Sequence, residues 1–563
     1  MVFNINNKSA NFIQSQFRKF WLYANTLRYL KARQISGRVL HYCSKPKPDL
    51  RKAPTTRTVS GNWKTPISKR ISMVSASKFV FLNFECQISV PADWNSRNLA
   101  KLWLYNLHYF DDLNAQKATS RREWHVNIIE RWIEDNPPGS GCGWESYPIS
   151  IRVVNLIKYI LNGYELNDKI INSLAVQLRY LSKRLEWHLL GNHLFSNAKA
   201  LIFGGCYFQG EEAQSWLKTG MAILEKEIPE QILDDGGHFE RSPMYHSLAL
   251  EDLLDLANLG STFPDAFIPW KGAVDCWCTT IRKMGAWLMT MAHPDGEISF
   301  FNDSAFAIAP SPSNLYSYCN RLGIYFDKHK DVVKYLVDSG YIRVEIGVAV
   351  LIIDVARIGP DYLPGHAHAD TLSYELSINQ QRVFVNSGTS LYGLGPEREW
   401  QRSTRAHNTV EIDGQSSSEV WGGFRVARRA YPIDVFVWKN GSSVVIEAGH
   451  DGYTRLKSSL VHRRRWTIDE NRLEVYDRID GGFSQAISRI YLHPDIRIEK
   501  SGTAGKIFCS DFCINWESTI RDIAIEKTNW HPEFGISLPN ECIKMLICSS
   551  KEEVDGKILI NWA

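Results

Sequence analysis

Residues 341–355 read YIRVEIGVAVLIIDV, and here the hydrophobic residues begin to alternate with the period of two that is typical of β-strands. Turn dipeptides such as Asp413-Gly414, Asn440-Gly441 and Asp480-Gly481 follow. Further β-branched and aromatic runs occur at 371–378, 382–385, 408–412, 435–438, 444–447 and 466–476. The C-terminal part of the chain is therefore predicted to be all β.

Upstream of residue 325 the hydrophobic residues recur every three or four positions, for example at Leu250, Leu253 and Leu254. Gly191 and Gly260 stand where a helix C-cap would use them. Amphipathic helices are predicted at 121–135, 147–163, 168–190, 193–206, 210–228, 243–259 and 270–291. Helices followed by strands, without alternation, argue against a parallel α/β sheet. We expect an arm and linker (1–75), an α-domain (76–335) and an antiparallel β-sandwich or similar stacked sheet (336–563).

The composition and charge indicate a folded protein with an unusual N-terminus. Of the 563 residues, 44% are hydrophobic and 22% charged, which excludes a disordered chain. The net charge of +4 hides a basic arm, because residues 1–70 hold 15 Lys or Arg and one acid, Asp49. The rest of the chain is net acidic. The arm could attract an anionic polymer, strap the acidic body or rest on a membrane; without a recognisable module, nucleic-acid binding is not expected.

The sequence also carries expectations about compartment. No hydrophobic run is long enough to span a membrane, and no signal peptide is recognised at the N-terminus. The eleven cysteines lack a CxxC or regular spacing, which is typical of reduced thiols. Taken alone, these features favour the cytoplasm, and they leave the oligomeric state open.

Three polar, aromatic-rich connections stand out in the helical half: 144–152 (WESYPISIR), 191–197 (GNHLFSN) and 236–246 (GGHFERSPMYH). Each consecutive pair is separated by one further helix. In stacked helical hairpins every second connection falls at the same end of the domain, so the three loops are expected to meet at one rim. The alternative is that their Gly, Asn and His are only cap and turn residues.

Two segments of the β half carry chemically active side chains. In GHAHAD (365–370), His366, His368 and Asp370 would project from one face of an extended strand, which suits a metal or an imidazole held in one tautomer. Solvated strand-end histidines are the alternative. QRSTRAHNTVEIDG (401–414) places His407 beside arginines that could bind a carboxylate or protect an edge strand. Walker A, GxGxxG, HExxH and GxSxG motifs are absent, so nucleotide-binding, zincin and α/β-hydrolase chemistry have no support.

Five motifs in order resemble the heparinase II/III family of polysaccharide lyases, over roughly residues 95–560: GNHLFSNAKAL (191–201), HFERSPMYH (238–246), GHAHADTLSYEL (365–376), VNSGT (385–389) and RSTRAHNTVEIDG (402–414). The resemblance implies an incomplete α/α toroid followed by an antiparallel β-sandwich, with the active site in the cleft between them. It also implies β-elimination at a uronic acid of an anionic polysaccharide. The arm segment NTLRYLKARQISGRV (25–39) resembles the start of relatives linked to bacterial surface polysaccharides, which suggests an exopolysaccharide or O-antigen substrate and a place in the cell envelope.

The resemblance also implies roles for particular residues. Asn192 and His366 would face the uronate carboxylate, Tyr245 would be base, acid or both, and His407 would be a second acid–base group or a metal ligand. The residues expected to hold sugar are Trp144, Glu145, Arg152, His193, Glu240, Arg241 and Arg405.

Some family members hold zinc or another divalent ion in the sandwich, and the matching positions here are His368, Asn386 and His407. Asn386 stands where an Asp is expected, and a neutral amide is a poorer zinc ligand than a carboxylate. We therefore expect that no cofactor is required, and that any bound ion is structural.

Two other functions stay open on sequence alone. A glycoside hydrolase on a similar scaffold would need two opposed carboxylates, with Glu145, Glu240, Asp234 and Asp235 as candidates. A non-catalytic glycan-binding protein, or one associated with polysaccharide biosynthesis, would keep the fold without turnover.

Overall fold

The computed structural model describes residues 5–327, 331–456, 459–548 and 553–562. The chain order is two N-terminal helices, a small three-stranded sheet, an α-domain and then antiparallel sheets. The predicted order of an α-domain followed by an antiparallel β-sandwich is confirmed. The helices are α1 (Ile5–Leu27), α2 (Ala32–Cys43), α3 (Lys101–Tyr109), α4 (Arg122–Asp135), α5 (Ser146–Leu161), α6 (Asp168–Ser182), α7 (Gly191–Tyr207), α8 (Glu211–Gln231), α9 (Pro243–Thr262), α10 (Ala273–Met291), α11 (Pro312–Arg321) and α12 (Pro396–Arg402).

The α-domain is organised around α7, which packs against α5, α6 and α8. Glycines in α7 allow this close approach. A Cβ on Gly204 would lie 2.5 Å from Leu178 of α6, and one on Gly205 would lie 2.6 Å from the Leu217 Cβ of α8. Since its neighbours cover it on several sides, α7 is buried beyond its first turn and holds that turn at a fixed position.

All seven predicted helices are present, with three corrections. The helix predicted at 168–190 ends at Ser182, and the chain then forms the loop 183–190. Gly191 is not a C-cap but the first residue of α7, and Gly260 lies inside α9. A Cβ at Gly260 would lie 2.6 Å from Val274 of α10, so the glycine allows two helices to touch rather than ending one.

The arm combines two helices with a strap. Residues 44–72 run in extended form across the α-domain, where the backbone NH of Ala53 donates to Asn172 and that of Lys64 donates to Asn258. The Lys69 ammonium lies 2.7 Å from the Glu251 carboxylate. The sequence predicted a linker or strap here, but it gave no indication of α1 and α2.

The C-terminal half packs an eight-stranded antiparallel sheet against a four- and a five-stranded sheet. Their shared core contains large aliphatic and aromatic side chains such as Leu351, Trp466 and Ile543. The eight-stranded sheet has the order β12-β13-β14-β15-β22-β19-β18-β17, and the other two have the orders β20-β21-β16-β9 and β4-β5-β6-β7-β8. The strands are β1 (Met73–Ser75), β2 (Lys78–Phe81), β3 (Phe84–Gln87), β4 (Val333–Leu336), β5 (Tyr341–Ile346), β6 (Ala349–Asp354), β7 (Tyr374–Ile378), β8 (Gln381–Phe384), β9 (Val410–Ile412), β10 (Val420–Trp421), β11 (Arg425–Val426), β12 (Pro432–Asn440), β13 (Ser443–His450), β14 (Val461–Ile468), β15 (Arg472–Asp480), β16 (Gln485–Tyr491), β17 (Arg497–Ser501), β18 (Ala504–Phe508), β19 (Cys513–Ser518), β20 (Asp522–Trp530), β21 (Leu538–Cys548) and β22 (Glu553–Trp562).

Two stretches predicted as single strands are hairpins. Within 341–355 the chain turns at Gly347 and Val348, with Gly347 at φ +55°, so that Ile346 pairs with Ala349. The stretch 466–476 breaks between β14 and β15. The first turn escaped prediction because its second residue is valine, which continues the hydrophobic pattern. Among the described helices, none is long and apolar enough to cross a membrane.

Candidate active site

The three predicted connections do meet at one rim of the α-domain, but 146–152 belongs to α5 and 191–197 to α7, so the first two contribute helix N-terminal turns and not loops. The rings of Tyr147 and His193 are 4.5 Å apart between centroids, which joins the first connection to the second. A Cβ placed on Gly191 would lie 3.7 Å from the Glu240 carboxylate of the third loop and 2.4 Å from Leu363 of the β half. The rim is therefore pressed against the β-domain, and the candidate site lies at this junction.

The N-terminus of α9 fixes Tyr245. Ser242 is the N-cap, its Oγ accepts a hydrogen bond from the Tyr245 backbone NH at 3.1 Å, and Pro243 occupies the first helical position. The Ser242 hydroxyl also donates to the backbone carbonyl of Asp303 at 2.6 Å. The half-buried phenol of Tyr245 is therefore held by both its own helix and the interdomain segment.

A buried carboxylate, that of Asp303, organises the histidines. His366 Nδ1 and His368 Nε2 each lie 2.8 Å from a different oxygen of this carboxylate, and both guanidinium NH2 groups of Arg398 donate to it. Burial alone would raise the pKa of Asp303, but Arg398 and the two imidazoles hold it well below its usual range. Because the Nδ1–H of His366 donates to this anion, the free nitrogen of that ring is Nε2.

His366 and Tyr245 form the centre of an aromatic cluster. Their rings are 4.0 Å apart between centroids, and the Tyr245 hydroxyl lies 3.0 Å from the hydroxyl of Tyr392. Burial and the nearby Tyr392 raise the pKa of Tyr245 well above that of a free tyrosine. The phenol is therefore neutral in the free protein and is suited to donating a proton.

Asn192 and His193 occupy the first turn of α7, and both are half-buried. The His193 Nδ1 is 3.1 Å from the Glu186 carboxylate, whose other oxygen accepts from Asn197. Burial alone would lower the pKa of His193, but the Glu186 charge outweighs it and raises the pKa. The raised pKa thus favours the positively charged form of His193, beside Asn192.

Glu240 lies in the wall of the same site and is buried, with one carboxylate oxygen that has no hydrogen-bond partner among the described residues. Burial raises its pKa, and His366 and His193 lower it only in part. A neutral Glu240 would leave the site free of a charge that repels an anionic ligand. Glu145 lies at the rim, bound by Lys101 at 2.9 Å and by the Tyr105 hydroxyl, and Arg405 is exposed.

Three residues predicted to hold sugar lie in the interior instead, and those predictions are wrong. Arg152 is 0% exposed, with its donors used by Gln177 and two backbone carbonyls. Trp144 packs against Trp132 in the core. Arg241 donates to the backbone carbonyls of Ser339 and Asp338, so it joins the two domains. Helical periodicity identifies a rim loop but does not say which of its side chains turn inward.

The segment GHAHAD is not the start of a strand. The strand β7 begins only at Tyr374, and the preceding residues form an irregular loop bonded to 302–303: Asp303 NH donates to the His366 carbonyl, and His368 NH donates to the Asn302 side chain. These bonds replace a strand ladder. The shared direction of His366 and His368 therefore comes from Asp303 and not from the predicted period of two.

His407 lies behind His368 and is fully buried, with its Nε2 3.2 Å from the His368 Nδ1. The prediction that His407 is an acid–base group is therefore wrong, because it does not reach the solvent-facing site. Asn386 is also wrong as a metal ligand, since its amide donates to the Phe300 carbonyl and accepts from the Asn408 NH.

A different donor set fits a divalent ion. One ligand atom each from His368, Asp370 and His407 lie within 4.8 Å of one another among the described residues. Burial lowers the pKa of both imidazoles, so they are neutral at physiological pH, as ligands must be. The Nε2 of His368 is hydrogen-bonded to the Asp303 carboxylate, and metal-binding imidazoles are usually oriented by such a carboxylate on the nitrogen that does not bind the metal.

Sequence reasoning missed Asp303, Arg398, Tyr392 and Glu186. None of them lies within a motif quoted above. Asp303 lies in the segment SFFNDSAF (299–306), where the positive φ of Asn302 (+55°) turns the chain towards the histidines. An Asn-Asp pair between two aromatic runs is a weak turn signal, and nothing local reveals that its carboxylate meets residues 60 to 95 positions later.

The comparisons with known proteins agree with this architecture. Family models described as "Heparinase II/III N-terminus" and "Heparinase II/III-like, C-terminal" match residues 93–335 and 329–563. A heparin-sulfate lyase of Bacteroides stercoris is 26% identical over 341 residues, covering 55% of this chain and 47% of that protein. The FtsZ-localized protein C of Caulobacter vibrioides is 22% identical over 427 residues, covering 72% of this chain and 69% of that protein.

Solved structures share the fold. A crystal structure of heparinase III superposes with a TM-score of 0.67 at 18% identity, over 84% of this chain and 79% of that one. The chain spans about half the length of the heparin-sulfate lyases that it matches in sequence. With both family models matched in order along most of its length, the chain belongs to the heparinase II/III family.

Proposed function

We propose that this chain is a polysaccharide lyase that cleaves a uronic-acid-containing anionic polysaccharide by β-elimination. The observation that carries the proposal is the contact between Tyr245 and His366, with the His366 imidazole oriented by the buried Asp303. Family membership and the heparin-sulfate lyase relatives support it. The uronate glycan itself, and whether it is sulfated, belongs to the proposal.

The first requirement of the reaction is to neutralise the uronate carboxylate, because the C5 proton beside an anionic carboxylate is only weakly acidic. Asn192 supplies an amide donor, and His193, charged through Glu186, supplies a cation next to it. A neutral Glu240 avoids repulsion at the same place.

The second requirement is proton transfer. The base removes the C5 proton, the C4–C5 double bond forms, the C4–O4 bond breaks, and an acid protonates O4. The neutral phenol of Tyr245 is suited to the acid step, and the Nε2 of His366, left free by the hydrogen bond from Nδ1 to Asp303, is suited to accepting the C5 proton. The hydroxyl of Tyr392, 3.0 Å from that of Tyr245, gives the resulting phenolate a hydrogen-bond donor.

The carboxylates available to a glycoside hydrolase support it poorly. Asp235 accepts hydrogen bonds from the Ser339 backbone and hydroxyl at 2.7 and 2.8 Å, so it belongs to the domain junction. Glu145 is held by Lys101 and Tyr105. No specific observation favours hydrolysis, and we keep elimination as the proposal.

We further propose that His368, Asp370 and His407 can hold a structural divalent ion, with Asp370 in the place expected of residue 386. Such an ion would act as a Lewis acid when bound. Because its candidate ligands lie behind His366, we propose that its role would be to hold the loop 365–373 in place. Metal analysis of the purified protein, with Asp370→Asn as comparison, tests this. Stoichiometric zinc lost in the variant supports it, and equal metal content in both proteins would contradict it.

The experiment on the main proposal is incubation with heparan sulfate, alginate, hyaluronan and the host's own polysaccharide. Unsaturated products, detected by mass and by the ultraviolet absorbance of the new double bond, are expected from at least one glycan. Tyr245→Phe is expected to lower product formation by at least about 100-fold. Tyr325→Phe, at an exposed tyrosine, is the matched control. Saturated products with new reducing ends would instead establish hydrolysis.

A further inference from the structure

The first two helices hold an unusual surface. In α1, the side chains of Phe17, Phe20 and Trp21 are 70%, 69% and 53% exposed, and Leu27 is also exposed. Their spacing of three, four and ten positions, with Ala24 between them, puts them along one side of the helix. Large exposed hydrophobic groups in a continuous stripe mark an interaction surface.

The opposite side of α1 holds the helix to the β-domain. The Trp421 indole NH donates to the Thr26 hydroxyl at 3.2 Å, and the Tyr23 ring packs edge-on against Trp421 at 4.8 Å. The Arg429 guanidinium lies 3.7 Å above the Tyr29 ring. Because α1 is already packed against the β-domain through its other side, its hydrophobic stripe is not a surface that the same core would bury.

The second helix repeats the pattern. Gln34 and Gly37 of α2 are buried against the body, where Gln34 donates to the Tyr362 carbonyl and a Cβ on Gly37 would lie 2.9 Å from the Trp187 carbonyl carbon. Ile35, Val39 and Tyr42, spaced by four and three, remain exposed. Both helices thus dock through one side and present a hydrophobic stripe on another.

The charge around these stripes has one sign. Residues 5–43 contain seven Lys or Arg and no Asp or Glu. Arg18 and Lys19 are exposed beside Phe17 and Phe20, and Arg38 is exposed beside Val39. A basic helix with aromatic and aliphatic residues on a separate side is the pattern of helices that lie in the interface of an anionic bilayer.

We propose that α1 and α2 form a membrane-docking surface, and that its occupant is the interface of an anionic lipid bilayer. A polysaccharide is a poor ligand for this surface, since a glycan chain has no hydrophobic interior in which phenylalanine and leucine side chains can be buried. A second copy of the chain is disfavoured because identical basic helices would repel one another. This inference is independent of the proposed lyase activity and goes beyond a general attraction of the arm to anions.

The test is flotation of the full-length protein with two kinds of vesicle, pure phosphatidylcholine and a mixture containing one part in three phosphatidylglycerol. The protein is expected to float with the anionic vesicles, less so as salt is added. Replacing Phe17, Phe20, Trp21 and Leu27 together by Ser is expected to lower the apparent association constant for the anionic vesicles at least about tenfold. Phe436→Ser with Trp438→Ser, at exposed positions of β12, is the matched control and should bind as the parent does.

The charge is tested separately by Arg18→Gln with Lys19→Gln, which leaves the hydrophobic stripe intact. Each lost charge is expected to weaken binding to the anionic vesicles by roughly fivefold. Binding to neither vesicle, or equal binding of the Ser variant and the control, would overturn the proposal. The proposal would also be overturned if light scattering showed concentration-dependent dimerisation of the parent, and if the Ser variant abolished this dimerisation while its vesicle binding stayed unchanged.

Discussion

A single buried carboxylate, that of Asp303, accepts hydrogen bonds from two imidazoles and one guanidinium at the junction of the domains. Those partners come from two separate segments of the β half, the loop of His366 and His368 and the helix of Arg398. Each partner donates its hydrogen bond to the Asp303 carboxylate. The orientation of the proposed catalytic imidazole, that of His366, therefore depends on the charge of Asp303.

Asp303→Asn is expected to lower the free energy of unfolding by about 3–5 kcal/mol, because the buried Arg398 guanidinium loses its counter-charge. Urea denaturation at neutral pH measures this. Asp434→Asn, which breaks an exposed pair with Arg463, serves as the control and should cost less than about 1 kcal/mol. A stability loss in Asp303→Asn no larger than that of the control would contradict the assignment.

Glu186→Gln tests the charge on His193. The Glu186 carboxylate raises the pKa of His193, so its removal should lower that pKa. If the imidazolium binds the uronate, the high-pH limb of the kcat/KM profile will move to lower pH in the variant. Glu225→Gln, at an exposed position of α8, should leave the profile in place. An unchanged profile in Glu186→Gln would exclude this role.

At this scale Tyr245, His366 and Asn192 could be proposed from the sequence because local motifs contain them, and their catalytic roles stay predictions. It misplaced Arg152, Trp144 and Arg241, since whether a loop side chain turns towards solvent or towards the core depends on neighbours that are distant in sequence. Arg152, for example, is satisfied by the carbonyls of His108 and Gly143.

At the scale of elements, the α-domain depends on how its connections are held. Asp112 joins the end of the arm to the start of α4: one carboxylate oxygen accepts from the backbone NH groups of Ser72 and Met73, and the other from Arg121 and His125. Burial opposes the charge, yet these donors lower the pKa of Asp112 to about 2.

Asp112→Asn is expected to cost about 2 kcal/mol of folding free energy at pH 7. A carboxyl whose pKa falls on folding stabilises the protein above its unfolded pKa of about 4 and loses this effect as pH falls through about 2. The difference between parent and variant should therefore shrink in acid. Urea titrations across this pH range measure it, and a difference independent of pH would contradict the cause.

The elements themselves were largely predictable where periodicity was strong. Helices α4 to α10 and the strands β5 to β9 and β12 to β15 follow from it, whereas β4, β10, β11 and β16 to β22 were not predicted. The hairpin at Gly347 was not predicted either, because Val348 continues the hydrophobic pattern through the turn. The turn between β14 and β15 is polar, Asp469 to Asn471, but it is only three residues long and was included in one predicted strand. Helices α1 and α2 were not predicted, although Phe17, Phe20 and Trp21 recur at helical spacing.

At the scale of the whole molecule, the domains are joined by buried polar contacts. Arg241 donates to the carbonyls of Ser339 and Asp338, and the Tyr341 hydroxyl donates to the Arg241 carbonyl at 2.6 Å. The junction that carries the candidate site is therefore linked by hydrogen bonds through Arg241 in both directions.

Arg241→Ala is expected to lower the free energy of unfolding by about 2–3 kcal/mol and to separate the unfolding of the two domains. Calorimetry should then show two transitions where the parent shows one. Arg282→Ala, on the exposed surface of α10, is the control and should retain the parent's transition. A single unshifted transition in Arg241→Ala would mean that other contacts hold the domains together.

The sequence by itself determined the order of an α-domain and a β-sandwich and the family, and it put forward Asn192, Tyr245 and His366 as candidate site residues, because periodicity and local motifs are properties of neighbours along the chain. Only the tertiary structure decided that Asp303 orients the histidines, that Arg152, Trp144 and Arg241 are interior, and that two basic helices leave hydrophobic stripes exposed. The physical reason is that burial and hydrogen bonding join residues far apart in sequence, and a carboxylate or an arginine acquires its role only from the partners that folding brings to it.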